Sequence, residues 1–239
     1  MTLSLVDFRK TLKSQKELDY FDIHVNRYAY LLTQIAKLGL KPSAKILDIG
    51  CYPPHLFTLL KSQSFSLFGL SSPHEPVNLP QIKTCNLETK PLPYSKNTFD
   101  LIIFTEVLEH LSVHPSQILC QLKTILKKDG HLLLTTPNVL RSQNLFSLIF
   151  GKNIYFPLFQ LNQNPNHRHQ REYSSKELIK LFKTLNFKII KSDFFISYSP
   201  FRAKNKKDSL FLKVIKTINY IFMLIFPVRR DNLFFLLKA

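Results

Sequence analysis

One segment of the sequence, residues 45–54, combines a carboxylate, a glycine and a thiol at the end of an apolar run. Residues 45–49 are rich in β-branched and aliphatic side chains, which predicts a short buried strand. Gly50 follows this strand, and a helical pattern begins at His55. A strand that ends in Asp-x-Gly and leads into a helix gathers backbone N–H groups and one carboxylate, here Asp48, around a cleft. The segment therefore predicts a site for a nucleotide-like cofactor.

A second group of side chains that could do chemistry follows the apolar run at residues 99–104, which predicts a strand buried on both faces. The group consists of Glu106, Glu109 and His110. His110 could act as a base or a ligand, or it could simply pack where a helix starts. The two glutamates could be solvated, or could pair with lysine. The sequence leaves these alternatives open.

The segment at residues 166–173, Asn-His-Arg-His-Gln-Arg-Glu-Tyr, has the most unusual local composition of the chain. One interpretation is that its last three residues anchor the helix that follows. In the other interpretation, the imidazole of His167 or His169 faces a substrate. His110 and His169 are therefore the candidate catalytic residues.

The elements that must position these residues alternate between strands and helices. Such alternation predicts an α/β fold with a mostly parallel sheet and helices on both faces. Right-handed crossovers bring the carboxyl ends of the strands to one edge, where α/β proteins bind ligands. We expect that edge to receive residues 48–50, Ser71, Asn86, 105–110 and 135–138. The predicted strands lie at residues 45–49, 65–70, 81–85, 99–104, 131–135, 188–198 and 232–238, and the predicted helices at 16–38, 55–61, 106–112, 115–127, 139–150, 174–185 and 209–226.

Local signals define several element boundaries. Residues 128–130, Lys-Asp-Gly, predict a turn before the fifth strand. Ser174 and Glu177 have the spacing of a capping box, which predicts a helix start. Asn186 suits the left-handed backbone that follows many helices.

A chain of 239 residues can bury one core with a small appendage. We therefore expect a single domain over residues 1–239. Within it, residues 1–40 would form an N-terminal helical cover and residues 41–138 a cofactor-binding core. Residues 139–172 would form an insertion on the substrate side, and residues 200–230 a basic and apolar helical segment.

The formal net charge of +17 comes mainly from lysine. It fits a solvated lysine-rich surface, or an acidic partner such as a membrane face, a nucleic acid or an anionic glycan. Cys51, Cys85 and Cys120 lie far apart, which argues against a disulfide scaffold or a zinc knuckle and suits a reducing cytosol. The N-terminal residues lack an apolar core of signal-peptide length. We therefore expect a cytoplasmic protein.

An amphipathic segment lies near the C-terminus, at residues 209–226, with basic flanks at 202–207 and 229–230. Its helix could pack over the core or the substrate cleft, lie on an anionic membrane, or form an oligomer interface. The membrane alternative would associate the protein with a membrane through residues 202–230. The longest uncharged run, 217–228, is too short to span a bilayer. The apolar helical face contains Phe211, Val214, Ile215, Ile218, Phe222 and Ile225.

Three segments share the order and spacing of motifs in a known family. Residues 46–51, Ile-Leu-Asp-Ile-Gly-Cys, are similar to its first motif, and residues 92–111 to the stretch around its fourth strand. Residues 126–138 are similar to its next turn and fifth strand. The sequence thereby resembles the class I S-adenosylmethionine-dependent methyltransferases with a small, type 11- or type 23-like domain. The resemblance covers about residues 20–200 and implies a Rossmann-like, seven-stranded sheet whose last strand is antiparallel.

The resemblance implies S-adenosylmethionine as the cofactor. Gly50 and the backbone of Cys51 and Tyr52 would face its methionine part, and Asp48 would organise their loop.

On the adenosine side, the resemblance assigns further residues. Asn86 stands where the family usually has an aspartate that bonds the adenine amino group, and an asparagine oxygen can also accept that bond. Leu87, Phe104 and Thr105 would line the adenosyl site. Ser71 ends the second strand, where the family usually presents a carboxylate to the ribose.

The loop after Cys51 departs from the family pattern, which has two further glycines there. Tyr52, Pro53 and Pro54 restrict the backbone instead. Two hypotheses remain open. The leading one is an active methyltransferase that acts on oxygen of a small molecule, a glycan or a lipid-linked precursor, without a metal. The other is a degenerate Rossmann module that binds a partner or a membrane. Neither predicts a nucleic-acid partner.

A third hypothesis follows from Glu106, Glu109, His110 and His169 taken together. The set resembles the metal ligands of RNA 3′-terminal 2′-O-methyltransferases, and this resemblance would make the enzyme metal-dependent. The hypothesis predicts that the four side chains converge within metal-ligand distance.

Overall fold

Seven strands form one sheet in the computed structural model, which describes residues 3–155, 168–197 and 209–239. All seven lie close to their predicted positions. The strands are β1 (Lys45–Ile49), β2 (Ser66–Ser71), β3 (Ile82–Thr84), β4 (Phe99–Thr105), β5 (Leu126–Pro137), β6 (Lys188–Phe195) and β7 (Asn232–Lys238).

The sheet is built around β1, which pairs in parallel with β2 on one side and with β4 on the other. β5 pairs in parallel with β4. β7 then pairs antiparallel with both β5 and β6, which gives the order β3-β2-β1-β4-β5-β7-β6. The predicted Rossmann-like sheet with an antiparallel last strand is confirmed, and the carboxyl ends of β1, β4 and β5 meet at one edge.

Helices cover both faces of this sheet. They are α1 (Leu5–Thr11), α2 (Gln15–Ala36), α3 (His55–Lys61), α4 (Pro115–Ile125), α5 (Ser142–Ile149), α6 (Ser175–Thr184) and α7 (Leu210–Ile225). One apolar cluster joins α2 and α3 to the sheet, and another joins α4 and α6 to the opposite face. Leu132 and Leu134 of β5 belong to the second cluster and Leu133 to the first, as expected for alternating side chains of a strand.

The predicted start and end of α6 are confirmed. The Ser174 hydroxyl accepts a bond from the Glu177 N–H while the Glu177 carboxylate accepts one from the Ser174 N–H. Asn186 has a φ of +56°, in the left-handed region. Both signals are local, so they need no knowledge of the tertiary structure.

The predicted helix at residues 106–112 is wrong. The chain makes a short 3₁₀ turn at Leu108–His110 instead. Glu106 has a φ of +55°, which an α-helix cannot contain, and its N–H bonds to the Thr135 carbonyl at 3.0 Å. The hydrogen bond from Glu106 to β5 holds the backbone in a conformation that a helix does not allow.

The turn predicted at residues 128–130 is also wrong as an element boundary. These residues lie inside β5, where the pairing jumps from Phe99–Leu126 to Leu101–His131. Between these pairs, β5 (residues 127–130) thus has more residues than the facing part of β4, and regular pairing resumes at His131.

Helix α7 turns its apolar side to the surface. Val214, Ile215, Ile218 and Ile225 are 46–64% exposed, whereas the polar Asn219 is buried. Packing into the core is therefore wrong for these four residues, while Phe222 of the same face packs against Phe146 and the cleft alternative stays a prediction. The basic flank at 202–207 lies outside the described residues.

Candidate functional site

A cavity of about 70 Å³ opens at the carboxyl ends of β1 and β4. Its walls come from α2, the turn after β1 and the end of β4. The lining residues are Tyr20, Arg27, Tyr28, Leu31, Asp48, Gly50, Cys51, Tyr52, Pro53, Leu56, Thr105 and Glu106. The structure therefore brings together five residues predicted for the cofactor: Asp48, Gly50, Cys51, Tyr52 and Thr105.

The turn after β1 depends on Gly50. Its φ of +76° lies in the left-handed region that favours glycine. A Cβ at this position would lie 2.3 Å from Cγ2 of Val107. The Gly50 N–H bonds to the Leu70 carbonyl at 2.8 Å, which holds the turn against the end of β2. This close packing lets the backbone of residues 50–52 form one wall of the cavity.

Asp48 supplies the buried carboxylate of the cavity. It is 4% exposed, and burial raises the pKa of its carboxyl group to about 7. A cationic ligand group beside Asp48 would favour the ionised carboxylate and offset part of that desolvation. The cavity is thus suited to an ammonium group.

Arg27 is a cavity residue that the sequence analysis missed. It is buried on α2, and its Nη1 lies 3.4 Å from Oε2 of Glu106. Its Nη2 bonds to the Tyr20 hydroxyl at 3.4 Å. These contacts are long for charged groups, so the guanidinium can also bind a ligand carboxylate in the cavity. The available signal was its spacing, because Arg27 precedes the buried Leu31 by four residues on an apolar helix face.

Of the residues predicted on the adenosine side, Thr105 lines this cavity and the other four lie outside it. Ser71 is buried, with its hydroxyl 3.4 Å from that of Thr84. The Asn86 side-chain oxygen accepts a bond from the Glu88 N–H at 2.9 Å. Phe104 is fully buried in the core, and Leu87 packs against the same core cluster. Their cofactor roles stay predictions.

Residues 52–54, which replace the two glycines of the family loop, still leave a cavity beside β1. Tyr52 lines the cavity and is 43% exposed. Pro54 precedes α3, and Pro53 follows Tyr52 through a cis peptide bond.

The cavity fits the methionine end of S-adenosylmethionine. Asp48 and Arg27 offer opposite charges for an amino and a carboxylate group, and the Gly50 turn exposes backbone beside them. The nucleoside would continue from this cavity along the strand ends.

A second cluster lies at the 3₁₀ turn. One ligand atom each of Glu109, His110 and His169 lies within 4.8 Å of the other two. Glu109 is 1% exposed and its Oε2 accepts a bond from the Thr136 hydroxyl at 2.9 Å. The imidazole centroids of His110 and His169 are 5.0 Å apart. The two predicted catalytic histidines are therefore neighbours.

Backbone hydrogen bonds hold the end of the predicted insertion, residues 168–173, beside the sheet. The Glu109 carbonyl accepts from the N–H of Gln170 at 2.7 Å and of Arg171 at 3.2 Å. The Val139 N–H donates to the Tyr173 carbonyl at 3.1 Å. These bonds place His169 beside the 3₁₀ turn, while His167 lies outside the described residues.

Glu172 holds the His169 ring in place. Its Oε1 accepts from Nδ1 of His169 at 2.8 Å, and Arg141 and Asn144 also donate to the carboxylate. Burial alone would raise the pKa of Glu172, but the hydrogen bonds from His169 and Arg141 outweigh it and bring the pKa to about 2. Glu172 is therefore ionised at neutral pH.

Glu106 does not join this cluster. Its carboxylate accepts from the Thr135 hydroxyl at 2.7 Å and faces Arg27. Thr135 and Thr136 are consecutive on β5 and point to opposite faces, so Glu106 and Glu109 leave the strand ends on opposite sides. The expected convergence of four side chains is thus wrong for Glu106, and three of the four converge.

A family profile described as a methyltransferase domain matches residues 22–192, more than half of the chain. The matched range contains the Gly50 turn, the 3₁₀ turn and residues 168–173.

Three curated relatives carry the name ubiquinone biosynthesis O-methyltransferase, two of them from strains of Aliivibrio fischeri. The protein of Aliivibrio fischeri strain ATCC 700601 / ES114 is 24% identical over 148 residues, which are 57% of this chain and 61% of that protein. The protein of Vibrio atlanticus strain LGP32 is 24% identical over 148 residues, which are 57% of this chain and 60% of that protein. The chain thus spans about three fifths of the length of these relatives.

Solved structures share the fold. A SAM-dependent methyltransferase from Archaeoglobus fulgidus superposes with a TM-score of 0.61 at 16% identity, covering 95% of this chain and all of that chain. A second solved structure is a complex between the Haloferax volcanii Trm112 methyltransferase activator and a methyltransferase. It gives a TM-score of 0.62 at 15% identity and covers 91% of this chain and 90% of that chain. At such identities the likeness concerns the fold.

Proposed function

Because this chain belongs to the methyltransferase domain family, we propose that it is an S-adenosylmethionine-dependent methyltransferase whose acceptor atom is a hydroxyl oxygen. The observation that carries the proposal is that buried Asp48 and buried Arg27 line the same cavity at the Gly50 turn. The two side chains match the two charged ends of an amino acid, which the cofactor contains.

The chain's own residues would bind and orient the reactants. Arg27 would bind the cofactor carboxylate, Asp48 its ammonium group, and the backbone of residues 50–52 the chain between them. The cofactor, when bound, supplies a methyl group on a sulfonium sulfur. The acceptor oxygen would form a bond to that methyl carbon as the carbon–sulfur bond breaks, and the hydroxyl proton would leave to water or to a base. Such an in-line displacement depends mainly on positioning.

Two observations support oxygen as the acceptor atom. The curated relatives are named as O-methyltransferases. His110 and His169 also lie together at the strand edge, where groups that bind a hydroxyl or remove its proton are useful. A small molecule, a glycan or a lipid-linked precursor remains the proposed acceptor class.

Calorimetry with S-adenosylmethionine tests the cofactor site, and we expect the affinity to rise with pH. Asp48 has a raised pKa of about 7, so it is mostly protonated at pH 6 and mostly ionised at pH 7.5. Only the ionised form attracts the ammonium group, so the affinity should rise about eightfold between these values. The Asp48→Asn variant should bind weakly at both.

The control for this experiment is Asp129→Asn, which changes an exposed carboxylate in β5. It should keep the affinity and the pH dependence of the wild type. Absence of binding by the intact chain, or equal binding by the Asp48→Asn variant at pH 7.5, would contradict the proposed site. Transfer of labelled methyl groups to candidate acceptors then tests the reaction itself.

We also propose that α5 and α7 bind an anionic membrane surface. The two helices touch through Phe146 and Phe222, whose ring centroids are 5.6 Å apart. Ile149 and Phe150 at the end of α5 are 65% and 75% exposed. They extend the exposed apolar side of α7. The net charge of +17 favours an anionic partner. None of the helices in the described part of the chain combines the length and apolarity needed to cross a membrane.

Sedimentation with lipid vesicles tests this contact. The chain should bind vesicles that contain phosphatidylglycerol more tightly than vesicles of phosphatidylcholine alone. Changing Ile218 and Ile225 together to serine should weaken binding by roughly tenfold or more, because each isoleucine contributes on the order of 1 kcal/mol when inserted. A matched double variant, Val6→Ser with Ile190→Ser, also removes exposed apolar side chains but should bind as the wild type does. If the two double variants behave alike, α7 is not the contact.

A further inference from the structure

A pocket of about 440 Å³ lies beside β6, the last strand in the sheet order. Its walls come from α2, from the end of β6 and from the turn before β7. They include Asn26, Tyr30, Asp193, Phe194 and Arg230. The volume lies within the range of about 300–1,000 Å³ that is usual for ligand pockets. We propose that this pocket binds the phosphodiester headgroup of an anionic phospholipid.

Helix α2 separates this pocket from the cofactor cavity. Positions 20, 27, 28 and 31 belong to the cavity wall, whereas positions 26, 29, 30 and 33 belong to the pocket. At about 100° per residue, the two sets point in directions roughly 150° apart around the helix axis. In the sheet, β1 and β6 are four strand spacings apart, which is about 19 Å. A ligand in this pocket therefore occupies a site of its own.

Arg230 supplies the positive charge of the pocket. Its Nη1 donates to the Phe194 carbonyl at 2.9 Å and its Nε to the Met223 carbonyl at 3.3 Å. Within the described ranges, the guanidinium has no carboxylate partner and its Nη2 makes no hydrogen bond. The two backbone bonds thus orient the guanidinium and leave donors for a ligand. Phosphate oxygens accept well from such a planar set of donors.

The carboxylate of Asp193 does not cancel this charge. Its Oδ2 lies 3.3 Å from Nζ of Lys191 and accepts from the Tyr30 hydroxyl at 2.8 Å. Its Oδ1 accepts from the Phe194 N–H at 2.8 Å. Because Asp193 is already paired with Lys191, Arg230 remains the uncompensated charge of the pocket. The pocket therefore favours an anion.

The apolar end of α7 lies next to this charge and favours a lipid as the source of the anion. Arg230 joins the two features, since it bonds to the Met223 carbonyl of α7 and to the Phe194 carbonyl of the pocket wall. Around this end of the helix, the side chains that are 47–64% exposed include Leu224, Ile225, Phe226 and Val228.

Aliphatic groups that enter a membrane place a neighbouring arginine at the level of the headgroup phosphates. Arg229, which also has no carboxylate partner in the part of the chain that the structure describes, adds a second positive charge there. The lipid as occupant rests on the proposed membrane contact of α7, whereas the charge and volume of the pocket do not.

Dihexanoylphosphatidylglycerol below its micelle concentration is a suitable probe, because it presents the headgroup as a single soluble molecule. Isothermal titration calorimetry of the full chain should show saturable binding of one equivalent. Asn26→Asp should weaken binding by about tenfold or more, because the new carboxylate repels the phosphate. Arg230→Lys should weaken it by about tenfold, because lysine keeps the charge but not the planar donors. Changing Ile218 and Ile225 together to serine should leave it unchanged.

The matched control is Asn78→Asp, which adds the same charge at an exposed position between β2 and β3, towards the opposite edge of the sheet. It should bind the lipid as the wild type does. Absence of saturable binding, or equal binding by the wild type and the Asn26→Asp variant, would overturn the site. Inorganic phosphate should bind much more weakly than the lipid, and equal affinity would overturn the assignment to a phospholipid.

Sedimentation of the same proteins with phosphatidylglycerol vesicles separates this result from the proposed membrane contact. Binding of the soluble lipid by a chain that does not bind vesicles supports the pocket and removes the contact of α7. Binding of vesicles by a chain that does not bind the soluble lipid keeps the contact of α7 and overturns the pocket.

Discussion

Replacing Arg27 by methionine is expected to lower the affinity for S-adenosylmethionine about a hundredfold. The guanidinium is buried at the cavity and is the group proposed to bind the cofactor carboxylate. A hydrogen bond to a charged group contributes about 1.5–3 kcal/mol, and about 2.7 kcal/mol corresponds to a hundredfold change in affinity. Methionine keeps much of the side-chain volume while removing the charge. Isothermal titration calorimetry measures the difference directly.

A cofactor analogue without the carboxylate isolates this contact. Decarboxylated S-adenosylmethionine should bind the wild type and the Arg27→Met variant with similar affinity, because it cannot use the guanidinium in either. Arg9→Met removes an arginine that pairs with Asp22 at the surface and should change neither affinity. If the variant loses affinity for both ligands equally, Arg27 supports the cavity wall and does not bind the carboxylate.

Gly50→Ala is expected to lower the free energy of unfolding by about 3 kcal/mol and to remove cofactor binding. Left-handed backbone costs an alanine about 1–2 kcal/mol, and the new Cβ would meet Val107 at 2.3 Å. Val107 is β-branched and cannot rotate away easily, so overpacking adds about 1–3 kcal/mol. Relief of the clash would move the turn that forms the cavity wall. Urea denaturation and calorimetry measure the two effects.

Gly39→Ala is the matched control for this variant. Gly39 has a φ of +57°, but a Cβ there has no atom within 4 Å. We therefore expect only the backbone cost of about 1–2 kcal/mol and unchanged cofactor affinity. Equal destabilisation by the two variants would show that the Val107 contact does not constrain the turn.

The strands of the sheet could be predicted because their signals are local and strong. β1, β4 and β7 are short runs of buried apolar residues, and their bounds agree closely with the pattern. The Asp-x-Gly segment predicted the cofactor site, and the topology of parallel strands predicted the edge of the sheet at which it lies. The same reasoning placed Asp48 and Gly50 at the site.

The partners of the site residues could not be predicted because they are distant in sequence. Arg27 meets Glu106 from a different element, and His110 meets the segment that carries His169 across 58 residues. A charged residue on an apolar helix face does not reveal which opposite charge it will meet. Only the folded chain brings these groups together.

The orientation of α7 shows a different limit of pattern analysis. The alternation of Val214, Ile218 and Ile225 with polar residues predicts an amphipathic helix correctly. The pattern is the same whether the apolar side faces a core, a membrane or another chain. Burial of Asn219 and exposure of the isoleucines distinguish these cases, and burial is a property of the fold.

The backbone bonds that join Val139 to Tyr173 and Glu109 to Gln170 also bear on how residues 139–172 can change in evolution. They join the two ends of residues 139–172 to each other and to the 3₁₀ turn, so the segment leaves the sheet and returns to it at neighbouring points. Doubling the length of such a loop costs only about 0.6 kcal/mol in closure entropy. Insertions and deletions between the two ends can therefore change this segment while Glu109 and Gln170 stay in contact.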